Sequence, residues 1–367
     1  MKGRRAFSTI NQWFSAAVFA MLLWTGGALA QRGYARSDGI NSVVYADYVG
    51  TIIEFYLDGD GWHAADLSWL TGAPAAWSQP VPYGRSDSIN AVVYAGTDRH
   101  IYELSLQADG WHVGDLSRQT GAPSAVTSPA PYVRSDGINS VVYVGGNGHI
   151  YELFGDAIGW RLADLSVLTG ARPASWTPAP YVRSDGINSV VYAGINGHTY
   201  EIYLQADGWH VGDLSVITGA PAAWSPPASY ARSDGVNSVV YLGSNFHLYE
   251  IFLQDGSWHV TDLSVLTGAP LASWTPAPYV RSDGINSVVY AVRNGDIYEL
   301  MLLPEGWRYV DLSAQAGAPP AASSPAAYVR SDGFNCVVYT GTSNHIYELS
   351  LQADGWHVAD LTQLIFG

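Results

Sequence analysis

The sequence predicts an all-β fold, a seven-bladed β-propeller with four antiparallel strands per blade, after an N-terminal signal peptide. Three observations support this prediction. The chain repeats one unit every 49 residues, its 24 Tyr, 14 Trp, 39 Gly and 19 Pro favour strands and turns, and each unit contains four short strand-like runs. Four short strands per unit at a period of about 40–50 residues are typical of a propeller blade.

The repeat is marked by an Arg-Ser-Asp tripeptide that recurs seven times without a slip in spacing. Its arginines are Arg36, Arg85, Arg134, Arg183, Arg232, Arg281 and Arg330. The units start near residues 34, 83, 132, 181, 230, 279 and 328. An open solenoid is the alternative, but it needs atypical terminal caps, and here the first and last units are as regular as the others. We therefore expect a closed ring whose termini meet at the seam.

Residues 1–30 are predicted to be a signal peptide, which leaves residues 31–367 as the propeller. Basic residues open the chain, a short apolar stretch follows, and a small-x-small cleavage pattern directly precedes Gln31. An uncleaved anchor helix is the alternative, but about a dozen apolar residues are short for a span of about 20. We therefore expect a secreted protein, extracellular or periplasmic, with no membrane insertion after cleavage.

Composition excludes several classes of partner. The formal net charge of −15 disfavours nucleic acid, which requires a basic face, and it disfavours anionic lipid. The one cysteine, Cys336, allows no intrachain disulfide.

The acidic residues do not indicate catalysis. Of the 32 acidic residues, 21 occupy three repeated positions: the Arg-Ser-Asp aspartate, a Tyr-Glu glutamate and an Asp-Leu-Ser or Asp-Leu-Thr aspartate. An enzyme needs an asymmetric constellation, such as two carboxylates with opposed pKa values, and the repeats offer none. We predict no catalytic residue, no metal site and no cofactor. The Asp-Leu aspartates are interpreted as structural, accepting backbone N–H groups or pairing with an arginine.

The repeat also offers the side chains that carbohydrate recognition uses. A flat aromatic ring can cover the C–H face of a sugar, while oriented polar groups bind its hydroxyls. The candidate rings are Trp111, Trp160, Trp209, Trp258 and Trp356. The candidate acceptors are Glu103, Glu152, Glu201, Glu250 and Glu348. Each of these side chains could instead serve blade packing or bracing.

Histidines complete the predicted sugar sites. All ten lie at two repeat positions, and the first of these follows the turn after the second strand. The candidates there are His100, His149, His198, His247 and His345. Units 1 and 6 have Thr51 and Asp296 instead, so their sites are expected to be weaker or empty. The histidines after the invariant Trp form the second position.

The pattern Y-V-R-S-D-G-I-N-S-V-V-Y, G-H-I-Y-E-L and G-W-H-V-x-D-L-S resembles the repeat of the PLL-like seven-bladed propeller lectins, relatives of the fucose-specific lectins. The resemblance covers Tyr34 to Leu361. It implies fucose-type or O-methylated sugars bound between blades, and oligomeric assembly. In the six-bladed fucose lectins an Arg, a Glu and a Trp hold the sugar. The Glu and Trp match here, but that Arg would fall on Ser42, Ala91, Ser140, Ser189, Ser238, Ser287 and Cys336.

The sequence thus predicts a secreted, non-catalytic, multivalent lectin with glycans as partners, and homo-oligomers remain open. The alternative is a structural or protein-interaction propeller that binds no sugar.

Overall fold

The computed structural model describes residues 31–156 and 158–367 of the chain. The predicted signal peptide lies outside these residues. Seven separate four-stranded sheets follow one another along the chain, each an antiparallel meander in sequence order. The predicted fold class, a seven-bladed propeller with four antiparallel strands per blade, is confirmed.

The strands are numbered β1–β28, four to a blade. The first strands are Arg32–Ala35, Val81–Gly84, Ala130–Val133, Ala179–Val182, Ala228–Ala231, Ala277–Val280 and Ala326–Val329. The second strands are Asn41–Ala46, Asn90–Ala95, Asn139–Val144, Asn188–Ala193, Asn237–Leu242, Asn286–Ala291 and Asn335–Thr340. The third strands are Ile52–Asp58, Ile101–Gln107, Ile150–Asp156, Thr199–Gln205, Leu248–Gln254, Ile297–Leu303 and Ile346–Gln352. The fourth strands are Gly61–Asp66, Gly110–Asp115, Gly159–Asp164, Gly208–Asp213, Ser257–Asp262, Gly306–Asp311 and Gly355–Asp360.

A short helix that the sequence analysis did not predict follows every fourth strand. Helices α1–α7 are Leu67–Thr71, Leu116–Thr120, Leu165–Thr169, Leu214–Thr218, Leu263–Thr267, Leu312–Ala316 and Leu361–Phe366. The aspartate before each helix accepts a backbone N–H of its first turn, as Asp66 does from Trp69 at 2.8 Å. A left-handed glycine such as Gly72, with φ 66°, ends α1 to α6. The caps therefore define a helix too short to show helical periodicity.

The core lies between blades rather than within them. Each hydrophobic cluster joins two neighbours: Val93 and Ile101 of blade 2, for example, pack with Tyr143 and Leu153 of blade 3. First strands of adjacent blades contact one another around the ring axis, and each helix contacts the next blade's fourth strand. Every blade is therefore buried on both faces, as a strand sequence rich in Val and Tyr requires.

The ring closes between blade 7 and blade 1, which confirms that the described ends of the propeller meet. Val43 and Phe55 of blade 1 share a cluster with Val338 and Leu361 of blade 7. The Gln31 side chain is fully buried and donates from Nε2 to the Val338 carbonyl oxygen at 2.8 Å. Within the described residues, no helix is long and apolar enough to cross a membrane.

The two ends of the blades form two faces of the ring. The loop face carries the loops between first and second strands and the turns between third and fourth strands. The helix face carries the turns between second and third strands, the helices and the connectors to the next blade. This division follows from the antiparallel meander, because successive turns lie at opposite ends of the strands.

Candidate functional site

On the loop face, the Arg-Ser-Asp loop joins each blade to the next. The serine backbone N–H donates to the asparagine Oδ1 that opens the second strand of the following blade, at 2.7–2.9 Å. The last of these bonds, from Ser331 to Asn41, closes the ring. These asparagines are buried, so the bond satisfies a side-chain oxygen that the fold covers. The asparagine thus braces neighbouring blades against each other.

The arginine of the same loop binds two carboxylates. Arg85 donates from Nε to Asp87 at 3.1 Å and from Nη1 to Glu103 at 2.9 Å. All seven blades contain this Arg–Glu ion pair, with N–O distances of 2.9–3.7 Å. The aspartate is 40–45% exposed in every blade. Of the arginine's two carboxylate partners, the loop aspartate thus faces solvent, whereas the glutamate on the third strand is covered.

The covered group is the glutamate that the sequence analysis placed in the sugar site. Glu103, Glu152, Glu201, Glu250 and Glu348 are at most 5% exposed. Burial raises the pKa of each carboxyl, and the arginine opposes that shift. Tyr83 and Tyr328 hydroxyls donate to two of these glutamates, and Ser189 and Ser238 hydroxyls donate to two others. The guanidinium that reaches the glutamate comes from the loop, whereas the fucose-lectin pattern would place it on the second strand.

The invariant tryptophan lies near the loop face but points away from its own glutamate. In blade 2 Trp111 is paired with Leu106 and Glu103 with Gly114, so the two side chains leave opposite sides of the sheet. Trp111, Trp160, Trp209 and Trp258 are half-buried against the core shared with the preceding blade. Trp356 is 6% exposed in the corresponding place. A glutamate therefore faces the interface with the following blade, and the tryptophan of that blade faces the same interface.

The histidines of the first position lie on the helix face. His100, His149, His198, His247 and His345 each contact the helix-capping aspartate of the same blade, with Nδ1–Oδ2 distances of 2.7–2.9 Å. Each ring also stacks on a tyrosine at a centroid separation of 6.1–6.3 Å. In blade 2 the aspartate is four strand residues from Trp111, or about 13 Å along the strand. The three predicted groups of site residues therefore do not meet in one cleft.

The histidine contact lowers the pKa of the capping aspartate in two blades. Burial alone would raise the pKa of Asp213, but hydrogen bonds from His198 and from the Val216 N–H lower it. Blade 1 has Thr51 in place of the histidine, and there burial raises the pKa of Asp66. Asp262, which His247 contacts, has a lowered pKa like Asp213.

An open cleft of about 460 Å³ lies on the loop face between blades 7 and 1. Arg330 and Asp332 of blade 7 form one wall. The other wall comes from blade 1, and it includes Asp38, Gly39, Ile40, Asn41, Leu57, Asp58 and Gly59. Leu57 is paired with Trp62 on the neighbouring strand. The cleft combines an apolar patch with exposed carboxylates, and its Arg, Asp, Asn and Gly or Ser loop positions recur in every blade.

A second groove lies at the rim between α6 and the outermost strand of blade 7. It is lined by Gln315, Ala316 and residues 354–358, which include Trp356 and His357. Histidines of the second position pair with acidic residues of the adjacent turn, as His112 Nε2 does with Asp109 Oδ1 at 2.8 Å. This hydrogen bond lowers the pKa of Asp109.

Among residues 31–156 and 158–367, no group of three or more His, Cys, Asp or Glu side chains is arranged to hold a metal ion. Asp115 and its counterparts cap helices, and the buried glutamates hold arginines. The repeated carboxylates thus have structural partners.

The fold defines the chain as a β-propeller of the type found in lectins, and solved structures bear this out. The BP39L lectin from Burkholderia pseudomallei has a TM-score of 0.66 at 13% identity, over 91% of this chain and 98% of that one. The Aleuria aurantia lectin, bound to α-methyl-L-fucoside, has a TM-score of 0.52 at 16% identity, over 77% and 94%. The SapL1 lectin, with α-methyl fucoside, has a TM-score of 0.50 at 18% identity, over 77% and 94%.

These likenesses confirm the fold that the sequence resemblance implied. All three proteins are described as lectins. No protein-family model matches the chain, and no curated protein matches it in sequence.

Proposed function

We propose that the protein is a secreted, non-catalytic lectin that binds neutral sugars, of fucose or O-methylated type, in the clefts between blades on the loop face. One observation carries this proposal: the cleft between blades 7 and 1 places Leu57 and Ile40 beside the exposed carboxylates of Asp332 and Asp38. Aliphatic side chains can contact a sugar's C–H face or methyl group, and carboxylates accept hydrogen bonds from its hydroxyls. The fold shared with fucoside-binding lectins supports the same ligand class.

Charge favours neutral over anionic sugars in this cleft. Its arginine, Arg330, is already paired with Asp332 and Glu348 at 2.6 and 3.4 Å. Asp38 and Asp58 add further carboxylates to the wall. A sialylated or sulfated glycan would bring negative charge against this surface.

Affinity would arise from repetition. One shallow cleft binds a sugar weakly, but several clefts on one rigid ring raise the apparent affinity by about 10²–10⁴-fold where the glycan spacing matches. The predicted weakness of units 1 and 6 depended on the first-position histidines. Because those histidines lie on the helix face, the loop-face proposal gives no reason for the clefts of units 1 and 6 to be weaker.

The test is a glycan array with residues 31–367, followed by two matched variants. The first carries Asp136→Ala, Asp185→Ala and Asp234→Ala on the loop face. The control carries His149→Ala, His198→Ala and His247→Ala in the same three blades. We expect the aspartate variant to lose avidity by about tenfold or more, because the four clefts that these aspartates line lose acceptors, while the control stays within about twofold.

Circular dichroism must show that both variants remain folded. An absence of binding to any fucosylated or methylated glycan would refute the lectin proposal. Loss of binding only in the histidine variant would instead place the sugar on the helix face.

A further inference from the structure

The inner wall of the ring carries one charged side chain. The seven first strands surround the axis, and each contacts the first strands of its neighbours. In these strands Arg32 is the single charged residue, all of them lying within the described chain. Its counterparts in blades 2 to 7 are Val81, Ala130, Ala179, Ala228, Ala277 and Ala326. Blade 1 thus departs from the repeat at the innermost position.

Arg32 lies at the end of the channel on the helix face, because each first strand runs from that face toward the loop face. Its Cα is paired with that of Val44, whose side chain packs in the core between blades 1 and 2. The Arg32 side chain is nevertheless solvent-exposed. The long Arg32 side chain therefore extends from the first strand to water at the helix-face end of the channel.

The surroundings of Arg32 differ from those of the loop arginines. Each loop arginine forms ion pairs with two carboxylates, as Arg36 does with Asp38 and Glu54. Within the described residues, Arg32 forms no ion pair and no side-chain hydrogen bond. The guanidinium is therefore accessible to water, and no side chain among the described residues compensates its charge.

The backbone beside Arg32 is held firmly. The Gln31 side chain accepts from Thr340 Oγ1 at 2.9 Å and from Ser323 Oγ at 3.3 Å. On the other side, a Cβ on Gly33 would lie 2.4 Å from the Tyr328 ring, so the first strand of blade 1 packs closely on blade 7. The guanidinium thus extends from a fixed point.

We propose that Arg32 makes the helix-face mouth of the central channel a binding site for one small tetrahedral oxyanion, such as phosphate or sulfate. A guanidinium is planar, keeps its charge and donates two parallel hydrogen bonds to such an anion. An anion there would compensate a charge that the channel wall leaves unpaired. This site is separate from the loop-face clefts and does not depend on sugar binding.

The protein's net charge of −15 sets the expected strength and salt dependence. The overall charge repels anions, so binding must come from local hydrogen bonds at Arg32. Salt screens the long-range repulsion more than the close contact at Arg32, so we expect inert salt to change binding only modestly.

The test is a ³¹P NMR titration of inorganic phosphate with residues 31–367 at fixed pH and ionic strength. Arg32→Gln removes the charge, and Arg172→Gln removes one exposed positive charge elsewhere with the same change in net charge. We expect phosphate to broaden and shift on binding, Arg32→Gln to weaken binding by about tenfold or more, and Arg172→Gln to change it less than twofold. Equal phosphate binding by all three proteins, or none by the parent, would overturn the proposal.

Two further arms sharpen the result. Sulfate should compete with phosphate, whereas acetate at the same concentration should compete less, because it lacks a tetrahedral array of oxygens. If Arg32→Gln does not fold, Arg32→Lys keeps the charge but loses the bidentate fork, and we expect it to weaken binding severalfold. Undiminished binding by Arg32→Lys together with strong competition by acetate would contradict the guanidinium–oxyanion geometry.

Discussion

The loop face and the helix face use the same kinds of side chain for different purposes. On the loop face, Arg85 holds Asp87 and the buried Glu103, while the neighbouring serine N–H binds the next blade. On the helix face, His100 and Asp115 lie in one blade, and the aspartate caps a helix of that blade. The loop-face serine–asparagine bonds therefore join neighbouring blades, whereas the histidine–aspartate contacts of the helix face lie within one blade.

This difference explains where a ligand site can form. A cleft arises where two blades contribute different walls, and the loop face provides this between Arg330 and Leu57. The histidines of the helix face have their Nδ1 atoms committed to aspartates and their rings stacked on tyrosines. Repetition of a residue thus shows that every blade uses it, but it does not show whether the residue binds a ligand or stabilises the fold.

The largest expected effect comes from breaking the buried loop-face network. Replacing Glu250 with Ala leaves the largely covered Arg232 without its interior partner, and we expect the free energy of unfolding to fall by about 3 kcal/mol or more. Urea unfolding followed by tryptophan fluorescence measures the change. The control is Glu305→Ala, which removes an exposed acid and should change stability by less than about 0.5 kcal/mol. Equal effects would show that the glutamate is not a structural anchor.

The bond between blades should rank second. Asn188→Ala removes the acceptor for the Ser135 N–H, which lies at 2.8 Å. A hydrogen bond of this kind contributes about 0.5–1.5 kcal/mol net, so urea unfolding should show a loss in that range. Asn196→Ala, which removes a bond to the Tyr200 hydroxyl within one helix-face turn, should cost less. A larger loss for Asn196→Ala would contradict the division between the two faces.

The helix-face aspartates should show the smallest effect, with a distinctive pH dependence. The folded pKa of Asp213 is lowered, so its charge adds stability that is present above the ordinary aspartate pKa and is lost as pH falls through the folded pKa. The folded pKa of Asp66 is raised, so its contribution is greatest when it is protonated and is lost as pH rises through that pKa.

Asn substitutions isolate this charge effect, because Asn caps helices about as well as Asp. At pH 7 we expect Asp213→Asn to lose up to about 1 kcal/mol and Asp66→Asn to lose nothing or gain slightly. Both differences from the parent should shrink as pH approaches 3. Thermal unfolding between pH 3 and pH 7 measures them, and identical behaviour of the two variants would show that His198 has no influence.

The 49-residue period was sufficient to predict the ring, its seven blades and the meeting of its ends. The grouping of Trp, Glu and His was harder, because it depends on strand register. Trp111 and Glu103 leave opposite sides of the sheet, and the turn carrying His100 lies at the other end of the blade from Trp111. The antiparallel order of the strands is enough to predict that this turn lies on the helix face. The burial of Glu103 could not be predicted in the same way, because it depends on the Arg85 and Tyr83 side chains that contact it in the fold.

The most direct test of the central claim is a crystal structure of residues 31–367 with a neutral monosaccharide selected from the array. We predict that the sugar lies on the loop face between adjacent blades, with hydroxyls hydrogen-bonded to an exposed carboxylate equivalent to Asp332 and its apolar side against a residue equivalent to Leu57. A sugar bound only beside the helix-face histidines would contradict the account.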